Sequence, residues 1–341
     1  MKVFVTGGTG FIGSYVVPRL IESGHEVRCL VRSRERAAPL EKLGVQLVEG
    51  DVKRRDSFAE QVKGCDWVIH LASLYTFWEP DRREYGRVNI EGTRNVMEAS
   101  LRAEVKKVVY VSSIVVWGHM RGQEITESTP MGRQNTDYAR TKYEGYQVAL
   151  GLHKQMGLPL VTLFPASVAG PGNDRPSGDF VRDTSRGKIP AVLCPDTVCT
   201  YVDVRDVAEA IVRAAEKPGN SGERYLVGKH VLSMRQLHSL ITQAAEVRPP
   251  KMVMPGWLAL PSAASLTVLA NLTKHPPRLG LSLDLVRTLR SNLRFASDKA
   301  ERELGIRYTP IERSIADEVA WHLGHTQHRE EVRPRTPAGV S

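Results

Sequence analysis

A glycine-rich turn that directly follows the first apolar run constrains the fold of this chain more than any other feature. The stretch VFVTGGTGFIGSYV (3–16) passes from an apolar run into a segment with helical spacing, and it carries Gly7, Gly10 and Gly13. Glycines let a backbone turn tightly and approach a pyrophosphate, whose charge the N-terminus of the next helix then meets. The loop predicts a dinucleotide-binding strand–turn–helix unit. The further contacts expected from it are Thr9, Phe11 and Ile12.

Short runs rich in valine recur through the first half of the chain, and stretches with helical spacing lie between most of them. Strands that alternate with helices favour a parallel sheet covered on both faces. The predicted strands are residues 3–6, 26–31, 45–50, 66–72, 107–113, 158–164 and 224–228, with a further strand that runs into a helix within 200–217. The pattern predicts an α/β chain with a Rossmann-type, doubly wound parallel sheet and a smaller, mixed C-terminal substrate domain.

Irregular stretches that are richer in proline divide the chain. We expect residues 1–165, together with about 200–230, to form the nucleotide-binding domain. Residues 166–199, together with about 231–325, are expected to form the substrate-binding domain. The polar last stretch, 326–341, is predicted to be a flexible tail.

The composition of the 341 residues, with 41% hydrophobic and 25% charged side chains, is that of a globular protein with one large or two smaller domains. The formal charge of +9 favours an acidic partner, but the basic residues are spread along the chain without a nucleic-acid motif, so nucleic acid is not expected. No charged-then-apolar leader is visible and the cysteines form no CxxC pair, which predicts a cytoplasmic protein with reduced thiols and no metal. These cysteines are Cys29, Cys65, Cys194 and Cys199.

One charge-free segment, 252–273, is 22 residues long and nominally sufficient to cross a bilayer. Pro255 and Pro261 interrupt it, and the uninterrupted part at 262–273 would span only about 18 Å of a core of about 30 Å. The interpretation that we favour is an ordinary buried or pocket-lining helix, with shallow membrane contact as the second and a spanning helix as the least favoured alternative.

The second predicted strand ends in CLVRSRER, where proteins that bind a ribose 2′-hydroxyl carry an acid about 20 residues after the glycines. This chain has Arg32, Ser33 and Arg34 there, and an arginine can neutralise a 2′-phosphate that a carboxylate would repel. The nearby Glu35 leaves a solvated basic turn as the alternative. We predict NADP(H) as the preferred cofactor, with NAD(H) as the second option. Further contacts expected at the ends of the third and fourth strands are Asp51, Val52, Leu71, Ala72 and Ser73.

Tyr138 and Lys142 stand four positions apart in NTDYARTKYEGYQ (135–147) and would share one face of a helix. The pair is either a weak surface contact or an acid whose pKa has been lowered for catalysis. A unit charge about 4 Å away contributes roughly 4 kcal/mol at an effective dielectric of 20, enough to lower a tyrosine pKa by up to about three units. We therefore expect Tyr138 to exchange a proton with a substrate oxygen while hydride moves at carbon.

With these motifs, the chain resembles the extended short-chain dehydrogenase/reductases, of the epimerase/dehydratase superfamily, over nearly its whole length. The resemblance rests on TGxxGxxG, GD, HLA, VNIEGTRNV (88–96), YVSS, YxxxK, FPASVAGPGN (164–173) and YVDVRDVA (201–208). Within that group it is most similar to the dihydroflavonol 4-reductase and 3β-hydroxysteroid dehydrogenase branch, with pieces that look like hopanoid-associated sugar epimerases. The resemblance implies a homodimer built from the helices that bear 89–99 and 138–150.

The resemblance also implies roles for individual residues. Tyr138 would be the catalytic acid/base, Lys142 its electrostatic partner and a ribose ligand, Ser113 a hydrogen-bond donor to the substrate oxygen, and Asn89 an ordering group. Pro165 would border the nicotinamide. The other cofactor contacts that it implies are Ser112, Ala166 and Val168.

Two departures from the family pattern narrow the function. Phe164 stands where many relatives have an arginine before the proline, which leaves the substrate contacts there open. Ile114 and Val115 follow Ser113 where sugar-nucleotide dehydratases carry an acidic pair, so elimination of water is not expected.

The aromatic side chains around LYTFWEPDRR suggest a cleft for a bulky, apolar small molecule, the alternative being that they are core. These aromatic residues are Tyr75, Phe77 and Trp78, with Trp257 and segment 252–273. We predict an oxidoreductase that transfers hydride between NADP(H) and a ketone or secondary alcohol. The alternatives are a nucleotide-sugar epimerase with retained NAD and a redox-silent NADPH-binding sensor.

Overall fold

The computed structural model describes residues 1–120, 123–295 and 297–324. The stretch predicted to be a flexible tail, 326–341, lies outside the described residues. The strands are β1 (Lys2–Thr6), β2 (Glu26–Val31), β3 (Gln46–Glu49), β4 (Trp67–His70), β5 (Lys107–Val111), β6 (Glu124–Ile125), β7 (Leu160–Pro165), β8 (Ser167–Ala169), β9 (Ala191–Leu193), β10 (Val198–Asp203), β11 (Arg224–Val227), β12 (His230–Ser233), β13 (Met252–Met254) and β14 (Arg294–Phe295).

Helices connect most of these strands. They are α1 (Gly13–Glu22), α2 (Ala38–Glu41), α3 (Ala59–Val62), α4 (Arg83–Gly86), α5 (Gly92–Arg102), α6 (Asp137–Met156), α7 (Pro176–Ser185), α8 (Val204–Glu216), α9 (Met234–Ala244), α10 (Gly256–Thr273), α11 (Leu283–Leu289), α12 (Asp298–Leu304) and α13 (Ile311–Leu323). A π-helical turn, Arg87–Glu91, precedes α5.

The central sheet has seven strands in the order β11-β7-β5-β4-β1-β2-β3, and every pair in it is parallel. The strand order reverses between β1 and β4, so right-handed crossovers place α1 and α5 on opposite faces. Strands buried on both faces read as continuous apolar runs, as Val3, Phe4 and Val5 do in β1. The predicted Rossmann-type fold is confirmed, including the last strand, which pairs with β7.

Smaller sheets form a second region. β10 pairs antiparallel with β12 and parallel with β8, while β9 pairs with β13 and β6 with β14. A second apolar core joins α7, α9 and α13 through residues such as Val181, Leu237 and Ile315. The stretch 293–306 instead adds Leu293 and Phe295 to the core of the central sheet.

The charge-free segment forms β13 and α10. Within the ranges that the structure describes, we find no helix with the length and apolarity needed to cross a membrane.

Candidate active site

A single cleft of about 610 Å³ runs from the glycine loop, past the ends of β4, β5 and β7, to the second region. It therefore lies beside the point where the strand order reverses, as ligand sites of doubly wound sheets do. The predicted site residues that line it are Gly7, Gly10, Phe11, Ile12, Gly13, Leu71, Ser73, Ser112, Ser113, Tyr138, Lys142, Pro165, Ala166 and Val168. Those that do not line it are Thr9, Arg32, Ser33, Arg34, Asp51, Val52, Ala72 and Asn89.

The glycine loop leaves no room for a side chain at Gly7 or at Gly13. Gly7 has a φ of +77°, and a Cβ on it would lie 2.7 Å from the backbone nitrogen of Ala72. A Cβ on Gly13 would lie 2.2 Å from the carbonyl oxygen of Gly7, so only glycine lets α1 begin this close to β1. The loop thus exposes backbone at the N-terminus of a helix, which fits the pyrophosphate of a dinucleotide.

Tyr138 and Lys142 lie on the first turns of α6, whose start is fixed by Thr136, since its hydroxyl accepts a hydrogen bond from the Ala139 amide at 3.2 Å. Both side chains are buried rather than on the surface, at 9% and 2% exposure. Lys142 Nζ donates to the carbonyl oxygen of Val111 at 2.9 Å. The surface-pair alternative is therefore wrong.

The expected direction of the Tyr138 pKa shift is also wrong. Burial raises the pKa of Tyr138 to about 12, and hydrogen bonds with Ser113 and Ser73 lower it by less. Burial lowers the pKa of Lys142 to about 7. Lys142 is therefore uncharged in the pH range where Tyr138 would ionise, so the protein's own groups leave Tyr138 protonated at neutral pH.

Ser113 caps the turn that follows β5, and its hydroxyl accepts a hydrogen bond from the amide of Val115 at 3.4 Å. Together with Tyr138 it lines the cleft, so one small group could contact both hydroxyls. Ile114 and Val115 line the cleft beside them, which makes this wall apolar where the sugar-nucleotide dehydratases carry acids.

Asn89 does not line the cleft, but it forms hydrogen bonds with residues in and behind the cleft wall. It lies in the π-helical turn, which is a feature frequently found at functional sites. Its Oδ1 accepts hydrogen bonds from the Leu74 amide at 2.8 Å and from Ser73 at 3.1 Å, and its Nδ2 donates to Thr141 at 3.1 Å. Asn89 thereby ties the loop after β4 to the residue preceding Lys142 on α6.

His70 is a site residue whose role the sequence did not reveal, although it stands in the HLAS motif. Its Nδ1 lies 2.7 Å from the hydroxyl of Thr6, and its Nε2 lies 3.1 Å from that of Thr93. The Thr93 hydroxyl donates to the Asn89 carbonyl at 2.8 Å, so it must accept from Nε2. Burial, aided by Lys142, lowers the pKa of His70 to about 3 and keeps it neutral. This buried chain links the end of β1 to the turn that holds Asn89.

Arg175 is a second cleft residue that the sequence did not reveal. It lies in the second region, just beyond the GPGN motif, and a Cβ on Gly10 would be 3.3 Å from its Nη2. The loop that carries it is held by buried Glu318, which accepts hydrogen bonds from the Gly170 amide at 2.8 Å and Asn173 Nδ2 at 2.9 Å. A cation from the second region thus reaches the glycine loop, and its only sequence signal was a basic residue after the motif.

The stretch that was predicted to select the cofactor, Arg32 to Arg34, follows β2 and does not line the cleft. Arg32 is exposed and forms no ion pair with any residue that the structure describes. Arg34 is held near Glu41, at 3.8 Å, and donates to the carbonyl of Leu47 at 3.3 Å. Arg32 is therefore the more available of the two cations.

The far wall of the cleft consists mostly of apolar side chains, with Asp179, Arg182 and Asp183 among them, and only part of it matches the prediction. Tyr75 and Phe77 line it, together with side chains from the second region. Trp78 instead donates from Nε1 to Asn271 at 3.0 Å, and Trp257 is 76% exposed. No part of 252–273 lines the cleft, so the pocket-lining interpretation of that segment is wrong. The main contributors from the second region are Phe180, Val181, Leu285 and Leu289.

Phe164 occupies the position before Pro165, where many relatives have an arginine. Its ring is fully buried in the core, edge-on to Trp117 at 4.9 Å and to Tyr146 at 5.2 Å. It therefore serves packing and makes no contact with the cleft.

Comparison with known proteins agrees with this geometry. The family model described as "NAD dependent epimerase/dehydratase family" matches residues 3–228. A Synechocystis sp. protein named provisionally as a dihydroflavonol 4-reductase is 32% identical over 331 residues, which cover 94% of each chain. Sterol demethylase protein B of Methylococcus capsulatus is 31% identical over 336 residues, covering 94% of this chain and 98% of its own. The crystal structure of gox2253 matches with a TM-score of 0.81 at 32% identity, over 95% of this chain and 98% of that one.

The fold, the site and these relatives define an NAD(P)-dependent oxidoreductase of the extended short-chain dehydrogenase/reductase type. The chain belongs to the NAD dependent epimerase/dehydratase family, in the branch of the dihydroflavonol 4-reductases and 3β-hydroxysteroid dehydrogenases.

Proposed function

We propose that this protein is an NADP(H)-dependent reductase that interconverts a ketone and a secondary alcohol on a bulky, apolar substrate. The observation that carries the proposal is the continuity of the cleft. One end is the glycine loop, the middle holds Ser113, Tyr138 and Lys142, and the other end is apolar. A hydride donor and an apolar carbonyl compound could therefore meet beside a buried proton donor.

Tyr138 is the proposed general acid. Because its pKa is raised to about 12, the phenol keeps its proton at neutral pH and can give it to a carbonyl oxygen that accepts a second hydrogen bond from Ser113. A bound nicotinamide supplies the hydride for the carbonyl carbon. When charged, Lys142 stabilises the phenolate that remains until it is reprotonated. The protonated phenol is the form that reduction of a carbonyl requires.

Arg32 and Arg175 are the proposed cationic contacts of the cofactor. Arg32, exposed after β2, is suited to a ribose 2′-phosphate, which supports NADP(H) over NAD(H). Arg175 lies against Gly10 and is suited to the pyrophosphate. Asp51, the acidic residue of the GD pair, is proposed to bind the adenine amino group.

The substrate class is inferred from the far wall and from the relatives. Phe180, Leu285 and Leu289 provide an apolar surface. Arg182, a cation that also lines the cleft, is already paired with Asp179 and Asp183 and is therefore less suited to a sugar-nucleotide diphosphate. The names of the relatives, a dihydroflavonol reductase and a sterol demethylase protein, refer to bulky, largely apolar ring systems. An epimerase that retains NAD is the second candidate, favoured by the family to which the chain belongs.

A redox-silent sensor is less well supported. A protein that only binds NADPH has no need of a proton donor, whereas Ser113 and Tyr138 face the cleft together and Asn89 braces the helix that carries Lys142.

The test starts with protein purified without added cofactor. Mass spectrometry identifies any retained nucleotide, and absorbance then follows NADPH and NADH oxidation with bulky apolar ketones. We expect little retained cofactor and net oxidation of NADPH. Tightly retained NAD⁺ with no net absorbance change on any ketone or alcohol would favour the epimerase.

A further inference from the structure

The outward face of α10 is apolar and uncovered. Trp257, Val268 and Leu272 are 76%, 58% and 77% exposed. With Pro261 and Ser265 they recur at helical spacing and form one stripe. The side that faces the protein carries only small buried residues, Ala259, Ala263 and Ala270. Surface helices normally turn their apolar side inward, whereas here most of the large apolar side chains are exposed and Leu260 is one that packs against the protein.

The apolar surface continues beyond the helix. Met252 and Val253 in β13, directly before α10, are 63% and 45% exposed. Leu258 and Leu269 flank the stripe at 42% and 53% exposure. We call this surface, formed by the exposed side chains of 252–272, the α10 face. Contiguous exposed patches of this kind mark interaction sites in folded proteins.

The charged residues of the sequence segment that forms the α10 face all have one sign. From residue 247 to residue 283 the sequence contains no Asp or Glu, and its basic residues bracket the helix. Lys251 precedes β13 and Lys274 ends α10, and both are exposed. Neither forms an ion pair with any residue in the part of the chain that the structure describes. The basic residues of this stretch are Arg248, Lys251, Lys274 and Arg278.

We propose that the α10 face docks on the surface of an anionic lipid membrane. Its exposed tryptophan suits the headgroup boundary, its aliphatic stripe suits the first carbons of the acyl chains, and its cations suit anionic headgroups. Each such cation near an anionic surface strengthens the attraction to it, and salt screens that attraction. The contact is shallow, because α10 has 18 residues, or about 27 Å, interrupted by Pro261.

A second copy of the chain fits this face less well. A two-fold contact between α10 helices in antiparallel arrangement would bring Lys251 of one copy towards Lys274 of the other. Like charges without an acidic partner would oppose such a contact. Anionic lipid headgroups, by contrast, would form favourable contacts with Lys251 and Lys274.

The docking face also adjoins the substrate cleft. Pro276 and Pro277, which directly follow α10, line the cleft together with Gly280. If the proposed reductase function holds, on which this step rests, a membrane-dissolved apolar ketone enters the cleft from the bilayer side.

Flotation with vesicles tests the docking by itself. We expect the full chain to float with vesicles of phosphatidylcholine and phosphatidylglycerol, to float at least tenfold less with phosphatidylcholine alone, and to be released by high salt. The double variant Trp257→Ser/Leu272→Ser should float at least tenfold less on the mixed vesicles. Lys251→Glu/Lys274→Glu should lose the preference for anionic lipid.

Two matched controls separate the α10 face from general surface effects. Trp321→Ser removes another tryptophan that is 40% exposed, and Lys63→Glu reverses an exposed lysine on another element, so both should float as the parent does. The proposal is overturned if the parent does not float or if the controls lose as much binding as the α10 variants. An oligomer that dissociates in Trp257→Ser/Leu272→Ser, without vesicle binding by the parent, would show a second copy to be the occupant.

An activity assay distinguishes failure of the docking from failure of the proposed function. NADPH oxidation is followed with a saturated sterol ketone dissolved in the mixed vesicles and with a water-soluble aryl ketone. We expect Trp257→Ser/Leu272→Ser to lose activity at least fivefold on the vesicle-borne ketone and to keep it on the soluble one. Vesicle binding without reduction of either ketone would refute the reductase and leave the docking intact.

Discussion

The two regions of the molecule are assembled from the chain in different ways. Most strands of the central sheet pair with a strand that follows or precedes them by one helix, as β1 does with β2. The second region collects α7, α9 and α13 from a stretch that runs from residue 176 to residue 323, and its strands have two to six residues. The first region supplies the polar groups of the site, at the ends of buried strands and on the first turns of α6, and the second supplies most of its apolar wall.

This division assigns different parts of the reaction to different regions. In the proposed function, proton transfer and cofactor choice depend on residues of the first region, while the second selects substrate size and polarity. Arg175 is the exception, since it comes from the second region and lies against the glycine loop. The variants below test whether the two sets of functions separate as the structure implies.

The largest effect is expected for Tyr138→Phe. Loss of a positioned general acid costs about 10²- to 10⁴-fold in turnover, while the dissociation constant of NADPH should change little because the ring is kept. Tyr143→Phe on the same helix is the matched control, since Tyr143 does not line the cleft. Steady-state kinetics and cofactor titration check both. A Tyr138→Phe protein with parental turnover would show that the proton donor lies elsewhere.

Arg32→Asp should alter cofactor choice next most strongly. Replacing a cation by a carboxylate beside a 2′-phosphate should weaken NADPH binding by about 10- to 100-fold, at about 1.5–3 kcal/mol per charge-assisted contact, and NADH binding far less. Fluorescence titration of both cofactors measures this. Arg36→Asp, an exposed arginine four residues on, is the control. Equal affinities of the parent for NADPH and NADH would refute the proposed preference for NADP(H).

Gly145→Ala tests how tightly the first region holds its site. A Cβ there would lie 2.3 Å from the carbonyl oxygen of Asn89, so the turn that carries Asn89 must shift. We expect a loss of about 1–3 kcal/mol in the free energy of unfolding, with reduced turnover. Gly151→Ala on the same helix, with no atom within 4 Å of its Cβ, should instead stabilise by up to about 1 kcal/mol. Chemical denaturation of both proteins gives the values, and equal stabilities would show that α6 and the turn are not closely packed.

The first region was largely predictable from sequence because its signals are local. Every predicted strand of the central sheet forms within about two residues of its expected bounds, since buried parallel strands require continuous apolar runs. The glycine spacing and the i, i+4 pair likewise depend only on neighbouring residues. The pKa of Tyr138 was not predictable, because it depends on burial by residues far along the chain.

The second region was not predictable because its elements are short and depend on distant partners. β13 and β14 have three and two residues, too few for a periodic pattern. The charge-free segment resembled a buried helix, yet only three alanines of α10 are buried. Whether such a helix is covered depends on the surface that it meets and not on its own sequence.

Leu285→Ser should affect the substrate side alone. Leu285 lines the far wall of the cleft, and a hydroxyl there removes about 1–2 kcal/mol of apolar contact, which raises KM for a bulky ketone by about tenfold. NADPH affinity should stay at the parental value, the reverse of the pattern expected for Arg32→Asp. Initial-rate measurements with varied ketone and varied NADPH separate the two. A change in NADPH affinity equal to the change in KM would show that the regions do not divide the functions.

The smallest expected effect concerns how the free energy of unfolding changes with pH. Two buried groups, Lys142 in the first region and Glu318 in the second, should contribute to it with opposite signs. Burial lowers the pKa of Lys142 to about 7 from 10.5, so the folded protein binds fewer protons there than the unfolded chain between those values. Its contribution to the free energy of unfolding therefore rises with pH from about 7 to about 10. Burial raises the pKa of Glu318 to about 8 from 4.5, so its contribution falls as pH rises between those values. Each slope is at most about 1.4 kcal/mol per pH unit.

Thermal unfolding of the parent and two variants across pH 5 to 10 would reveal this contrast. The stability difference between the parent and Lys142→Met should increase with pH above about 7 and be flat below it, because the lysine is then charged in both states. The difference between the parent and Glu318→Gln should decrease with pH up to about 8 and be flat above it. Lys154→Met, at an exposed position near the end of α6, should give a flat difference throughout. Slopes of the same sign for Lys142 and Glu318 would mean that burial does not dominate at one of the two sites.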